Sequence, residues 1–250
     1  MQAGVVAAPR AVPWLARLGR LRARRWALVP VGSIVLVVLA IRYASDTATG
    51  LTYLALVAVP PLAAAALGGM ARGGRPMFAL GTVPVFALAW TASGSLPGDV
   101  AAALLSALSC VTLGVLLAAV TPPAWLKLGI VAMAAADVWL VVSDLLQAPN
   151  ATLIAAHPVA GLPRLQTELF GPVSMGYGDL FVAALLGAVL AAEPRIQRRA
   201  ALLTLVLAAV FDLLFLVVRE LPATVPVALA LVVVEAFGSG RRQDGKLPRL

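Results

Sequence analysis

Long apolar runs separated by short polar breaks dominate this chain, and the breaks hold the glycine and proline pairs that favour turns. A helix needs about 20 mostly apolar residues to cross the hydrocarbon core of a bilayer. Eight runs approach that length, and we predict that each is a membrane-spanning helix: Ala27–Tyr43, Leu51–Met70, Met77–Ala92, Val100–Val120, Ala124–Leu146, Val173–Ala192, Ala200–Val218 and Ala223–Phe237.

Composition supports a membrane protein. Hydrophobic residues make up 62% of the 250 positions and charged residues only 12%, whereas a soluble domain carries about 25% charged residues. The predicted fold class is therefore an all-α polytopic membrane protein with about eight transmembrane helices. The single cysteine and single histidine exclude an internal disulfide and a HExxH zinc site, which needs two histidines.

The basic residues predict the orientation of the chain in the membrane. If the N-terminus is cytoplasmic, the cytoplasmic segments hold sixteen of the nineteen lysines and arginines, as the positive-inside rule requires. We therefore expect a multi-pass protein of the plasma (cell inner) membrane with both termini in the cytoplasm. Because no basic face with interleaved aromatic residues occurs, the net charge of +8 does not indicate nucleic-acid binding.

Carboxylates inside apolar runs are functional candidates, because a charge at membrane depth costs at least about 2.5 kcal/mol. Two stand out. At about 1.5 Å per residue, Asp137 lies roughly 14 Å and Asp179 roughly 10 Å from the outer ends of their predicted helices. Adjacent antiparallel helices would bring the two carboxyl groups to nearly one level.

Three other acids lie in or near the apolar runs. Asp144 shares a helix face with Asp137 and is expected near the outer surface, lining an entrance. Asp212 is either a structural hydrogen-bonding group or a third member of a proton network. Glu235 either extends to the membrane surface or pairs with Arg241.

Two short strings accompany the aspartates. Glycine at positions 176 and 178 allows close helix packing, or exposes the backbone to a cavity or a peptide, on either side of Tyr177. The second string opens the last helix on the outer side: Leu221-Pro222-Ala223-Thr224-Val225-Pro226. Since proline donates no backbone hydrogen bond, nearby carbonyls are expected to stay free to hold an extended peptide. A simple helix start marked by proline explains the same string.

Two aspartates held close together share a proton and titrate as a pair. The ionised member can accept a proton from water, and the protonated member can donate to the oxygen of a scissile carbonyl. Peptide hydrolysis by this route requires no metal and no cofactor.

Together these residues resemble the presenilin and signal peptide peptidase family of intramembrane aspartyl proteases, over roughly Ala124 to Phe237. The three motifs of that family correspond, in order and spacing, to Ala136-Asp137-Val138-Trp139, Gly176-Tyr177-Gly178-Asp179 and Leu221-Pro222-Ala223-Thr224-Val225-Pro226. Ala136 replaces the usual tyrosine of the first motif, and Thr224 replaces the leucine of the third. The family usually has nine helices.

The resemblance implies a presenilin-like bundle with Asp137 and Asp179 as catalytic residues. It implies substrate contacts from the two flanking motifs: Gly176, Tyr177, Gly178, Pro222, Ala223 and Thr224. The orientation is similar to that of signal peptide peptidase, so the expected substrates are transmembrane peptides, namely type II segments or remnant signal peptides. Partner subunits and oligomeric state are not predicted.

The corresponding division of the chain has four parts. Residues 1–25 are a basic cytoplasmic tail and residues 26–120 a four-helix membrane part. Residues 121–238 are the catalytic membrane part, and residues 239–250 are a second basic cytoplasmic tail.

Other functions remain open. Prepilin peptidases also use a GxGD aspartate, but their motif typically continues with valine and lysine, whereas Leu180-Phe181 follows here. A non-enzymatic channel or transporter could relay ions through Asp137, Asp179 and Asp212. A catalytically inactive membrane chaperone is a third possibility.

Overall fold

The computed structural model describes residues 1–30, 46–143, 161–170, 173–214 and 221–244, with single residues between 32 and 39 and between 145 and 159. Its α-helices are α1 Gln2–Ala7, α2 Asp46–Ala65, α3 Thr82–Thr91, α4 Leu96–Val120, α5 Pro123–Val142, α6 Tyr177–Val189, α7 Pro194–Leu214 and α8 Val225–Asp244. Tighter or wider helical turns occupy Pro13–Leu21, Arg24–Ala27, Ala66–Met70 and Pro76–Gly81. Strands β1 (Thr167–Phe170) and β2 (Val173–Gly176) form one antiparallel hairpin.

The prediction of a mainly helical membrane protein is confirmed. Three helices are long and apolar enough to cross a membrane: Thr47–Met70, Leu96–Val120 and Pro123–Val142. Three shorter apolar helices lie on further predicted spans: Pro76–Thr91, Tyr177–Val189 and Val225–Phe237. The total of eight spans therefore stays a prediction.

Two predicted boundaries need correction. The span predicted over Val173–Ala192 begins as strand β2, and its helix starts only at Tyr177. Gly171-Pro172, a turn signal, separates the two strands in sequence. Helix α5 ends at Val142 rather than at Leu146.

Some predictions fall on residues outside the described part of the chain. These are most of the first predicted span, Ala27–Tyr43, the residue Asp144 and the side chain of Arg241.

Helix α4 lies at the centre of the bundle. It starts with Pro97 and Asp99 in its first turn, which suits the free N–H groups there and the positive end of the helix dipole. Helices α2 and α3 pack on one side of α4, and α6 packs on the other. A Cβ on Gly114 would lie 2.9 Å from the backbone of Ala184 in α6, so the close approach of these two helices requires glycine at that position.

Helix α6 is the second central element. Helix α5 contacts it, and so do the short N-terminal helix α1 and helix α8. A Cβ on Gly187 would lie 2.3 Å from the carbonyl oxygen of Val6, so α1 also depends on a glycine for its position. Val6 is fully buried in the same hydrophobic core as Leu180 and Leu186.

A buried glutamine fixes the N-terminal segment. The amide of Gln197 donates to the carbonyl oxygens of Val6 (2.9 Å), Pro9 (2.9 Å) and Gly187 (3.1 Å). Its own oxygen accepts hydrogen bonds from the guanidinium of Arg72. Residues 2–9, which the sequence places in a tail, are thus an integral part of the helical bundle.

Candidate active site

The carboxylate of Asp137 is held by the segment that opens α8. Its Oδ2 accepts a 2.7 Å hydrogen bond from the hydroxyl of Thr224 and a 3.2 Å bond from the backbone N–H of the same residue. Thr224 is 4% exposed. The residue that departs from the family pattern in the third motif is therefore in direct contact with the first aspartate.

The second aspartate lies at the start of α6. Asp179 is in the first turn, and its Oδ2 accepts a 3.0 Å hydrogen bond from the N–H of Gly176, the residue before the helix. This arrangement satisfies one free N–H, and it places the negative charge near the positive end of the helix dipole. Strand β2 leads directly into this turn, so the hairpin fixes where the helix begins.

Helix packing brings the two aspartates into the same region of the bundle. The three helices that carry or follow the motifs, α5, α6 and α8, all contact one another. The sequence separations are 42 residues between the aspartates and 87 between Asp137 and Thr224. Packing thus brings together the three strings that the sequence analysis selected.

Both aspartates are shallower in their helices than the sequence predicted. Asp137 precedes the end of α5 at Val142 by five residues, which is about 7.5 Å of helix. Asp179 follows the start of α6 at Tyr177 by two residues, or about 3 Å. Both helices are shorter than predicted at the same end, and the prediction that the two carboxyl groups lie at one level stays a prediction.

The two glycines differ in their surroundings. A Cβ added to Gly178 would meet no other atom within 4 Å, whereas one added to Gly176 would lie 3.4 Å from Oδ2 of Asp179. Close helix packing, one of the two explanations offered by the sequence, therefore does not account for Gly178. The glycine leaves open space beside the first turn of α6.

Tyr177 is anchored to α4 by polar contacts that the sequence analysis missed. Its hydroxyl lies 2.7 Å from the hydroxyl of Ser109, and Ser109 donates to the carbonyl of Ser106. The hydroxyl of Ser106 contacts the carbonyl of Leu165 at 3.0 Å. A pair of serines three apart in an apolar helix was the available signal, since such residues share a helix face.

The carbonyls of the proline segment are not free, contrary to expectation. The side-chain amide of Gln2 donates a 2.8 Å hydrogen bond to the carbonyl of Ala223, and the N–H of Val225 donates to the carbonyl of Pro222. Pro222 and Ala223 are half-buried. The N-terminal helix therefore contacts the segment that also binds Asp137, which no local sequence pattern predicted.

The remaining acids have other environments. Asp212 is exposed on α7, so it is not a buried bond across the bundle. Glu235 pairs with Lys127 at 2.6 Å, and the side chain of Arg241, its alternative partner in the prediction, lies outside the described part of the chain. Among the residues with described positions, no three histidines, cysteines or acids are grouped as metal ligands.

This arrangement has the parts that acid–base chemistry requires. The carboxyl group of Asp137 accepts from the buried hydroxyl of Thr224, and that of Asp179 lies one residue from Gly178, where a Cβ would meet open space. A pair of this kind can hold a single proton between two acceptors and can transfer it to a bound group.

No protein-family model, curated protein or solved structure matches this chain. The site therefore rests on its own geometry.

Proposed function

We propose that this protein is an intramembrane aspartyl endopeptidase of the presenilin and signal peptide peptidase type. The single observation that carries the proposal is the meeting of three motifs. Asp137 is hydrogen-bonded to Thr224 of the proline segment, and its helix α5 packs against α6, whose first turn holds Asp179 of the GxGD string. If Asp137 had only a structural role, neither the GxGD string nor the proline segment would be required, and the three motifs would have no reason to lie together.

The proposed reaction uses the aspartates as a general acid and a general base. The ionised carboxylate removes a proton from water, and the water oxygen attacks the carbonyl carbon of the peptide. The protonated carboxyl group donates to the carbonyl oxygen. Collapse of the tetrahedral intermediate breaks the C–N bond, and the departing nitrogen takes up a proton.

The proposed substrates are transmembrane segments, either of type II proteins or of remnant signal peptides. Gly178 has no side chain and has open space where a Cβ would lie, which leaves room beside Asp179 for a peptide backbone to approach. Water must reach the same place, and helix α6 begins there with an exposed Gly176. The proposed location is the cell inner membrane, with both termini cytoplasmic.

The decisive experiment measures cleavage of a fluorogenic transmembrane peptide by purified protein. Asp137→Asn and Asp179→Asn should each lower the rate by about 100-fold to 10,000-fold, since each removes a proton-transfer group. Asp212→Asn is the matched control and should cleave normally. Thermal unfolding in detergent shows whether each variant is folded.

Full cleavage by a folded Asp137→Asn or Asp179→Asn variant would refute the catalytic assignment. No cleavage by the wild-type protein, together with ion flux in liposomes that falls in the Asp137→Asn and Asp179→Asn variants, would instead favour a channel or transporter. No specific contact favours the latter, because the exposed Asp212 is not joined to the pair within the described structure.

A further inference from the structure

A cavity of about 350 Å³ lies at the opposite end of the bundle from the aspartates. Its walls come from the end of α4, the start of α5, the end of α6 and the N-terminal segment, as shown by Ala119, Leu126, Ala188 and Leu15. The positive-inside pattern assigns this end to the cytoplasmic face. The volume is within the range of about 300–1,000 Å³ that small-ligand sites occupy.

The cavity is apolar apart from two arginines. Arg10 and Arg22 line it, and no acid is among its described lining residues. The Nε of Arg10 is buried and has no hydrogen-bond partner within the described structure. The guanidinium groups of Arg10 and Arg22 place positive charge in an otherwise apolar lining, which favours an anion in the cavity over a neutral or cationic ligand.

The segment over the cavity has the character of a membrane interface. Over Pro13–Leu21, Leu15 is buried while Trp14 and Leu21 are 59% and 58% exposed. Arg17 and Arg20 are exposed on the same short segment. Tryptophan and arginine are enriched where the hydrocarbon core meets the headgroups, so the cavity lies at headgroup depth.

We propose that this cavity binds one anionic phospholipid. The arginines bind its phosphate, and the walls formed by alanine, valine and leucine contact its glycerol backbone and the first carbons of its chains. Phosphatidylglycerol, which has no cation, fits a site with two arginines. Phosphatidylcholine brings a quaternary ammonium close to the guanidinium groups and is disfavoured. This proposal does not depend on the aspartates or on any protease activity.

The test is native mass spectrometry of the full chain, purified in detergent and titrated with dioleoylphosphatidylglycerol or dioleoylphosphatidylcholine. One phosphatidylglycerol should be retained with preference over phosphatidylcholine. Arg10→Gln and Arg22→Gln should each weaken its binding by about fivefold, the contribution of one arginine near an anionic headgroup. Arg17→Gln and Arg20→Gln are the matched controls, and they should bind as the wild type does.

A second variant tests the cavity itself. Ala119→Phe fills it and leaves both arginines in place, so it should lose the bound lipid. If the Arg10→Gln variant does not fold, the lipid binding of the Arg22→Gln and Ala119→Phe variants tests the proposal. Three results would overturn the proposal: equal retention of both lipids, equal losses in the control variants, and full displacement of the lipid by millimolar inorganic phosphate.

Discussion

Thr224 shows how one side chain defines the candidate site. Its hydroxyl and its N–H both donate to the same oxygen of Asp137, so the threonine orients the carboxylate and satisfies it at once. A leucine at this position could supply only the N–H. The departure from the family pattern thus has a physical consequence, a second donor to the first aspartate.

Thr224→Val tests that consequence, because valine keeps the shape of the side chain and removes the hydroxyl. A hydrogen bond to a charged group contributes about 1.5–3 kcal/mol, so kcat/KM for the peptide should fall by tenfold or more. Thr224→Ser keeps the donor and should retain most of the activity. Wild-type activity in a folded valine variant would show that the hydroxyl does not position Asp137.

Gly178 permits a test that separates stability from function. Alanine fits there without a clash and without a positive φ, and it favours helix by up to about 1 kcal/mol over glycine. Gly178→Ala should therefore unfold at the same or a higher temperature, yet cleave more slowly because it fills the space for the substrate.

The matched control for Gly178 is Gly129→Ala in α5, where the new Cβ would make only an ordinary contact of 3.7 Å. Equal cleavage by the two alanine variants would contradict a substrate path past Gly178.

Among the helices, the shortest one has the most unexpected position. Helix α1 packs against α6 and α7, and its Gln2 reaches the proline segment. A six-residue helix is not stable alone in water, so tertiary contacts hold it in place. The amide of Gln197 is the main polar contact, with three carbonyl acceptors in α1, in the chain after it and in α6.

Gln197→Leu should therefore release the N-terminal segment. It leaves the carbonyls of Val6, Pro9 and Gly187 without their donor, while the guanidinium of Arg72 keeps its hydrogen bond to the carbonyl of Ala191. Each buried group left unsatisfied costs about 1–3 kcal/mol. The melting temperature should fall, and amide hydrogen exchange over residues 2–9 should accelerate. Gln197→Glu keeps the acceptor for Arg72 but not the donors, so its exchange should also accelerate. Unchanged exchange in both variants would show that α1 is held by apolar packing alone.

The helices themselves follow from local sequence, whereas their ends do not. An apolar run indicates that a segment is buried, and the length of the run indicates whether the segment can cross a bilayer. The run does not indicate where a strand takes the place of the first helical turn, as β2 does before Tyr177. The hairpin depends on pairing across Gly171-Pro172 and on contact with α4.

The protein as a whole has its aspartates at one end and its basic cavity at the other. The end of α4, the start of α5 and the end of α6 meet at the cavity, and these are the segments that the positive-inside rule assigns to the cytoplasm. Asp137 is bonded to Thr224 near the C-terminal end of α5, and Asp179 lies in the first turn of α6. The helix ends that packing places around the cavity are thus the same ends that the distribution of basic residues groups on one side of the membrane.

Cysteine labelling tests the orientation. Val159, 66% exposed, should react in intact cells as Val159→Cys with a membrane-impermeant maleimide. Arg195→Cys, at the start of α7, should react only after permeabilisation. Both changes are made in a Cys110→Ala background, although Cys110 is buried. The reverse pattern would invert the topology and remove the similarity to the signal peptide peptidase orientation.

Local sequence was sufficient to predict the helical class and the apolar segments, and to select the two aspartates with their flanking strings as candidates. Burial and helix length depend on composition over about 20 neighbouring residues, and a carboxylate in such a run is conspicuous because of its cost. Four features follow only from three-dimensional packing and could not be predicted locally. They are the bond from Thr224 to Asp137, the insertion of α1, the serine contacts of Tyr177, and the cavity lined by Arg10 and Arg22. These features join groups as far apart as Gln2 and Ala223, 221 residues in sequence, and no local pattern encodes which distant polar atoms will find each other as the apolar surfaces pack.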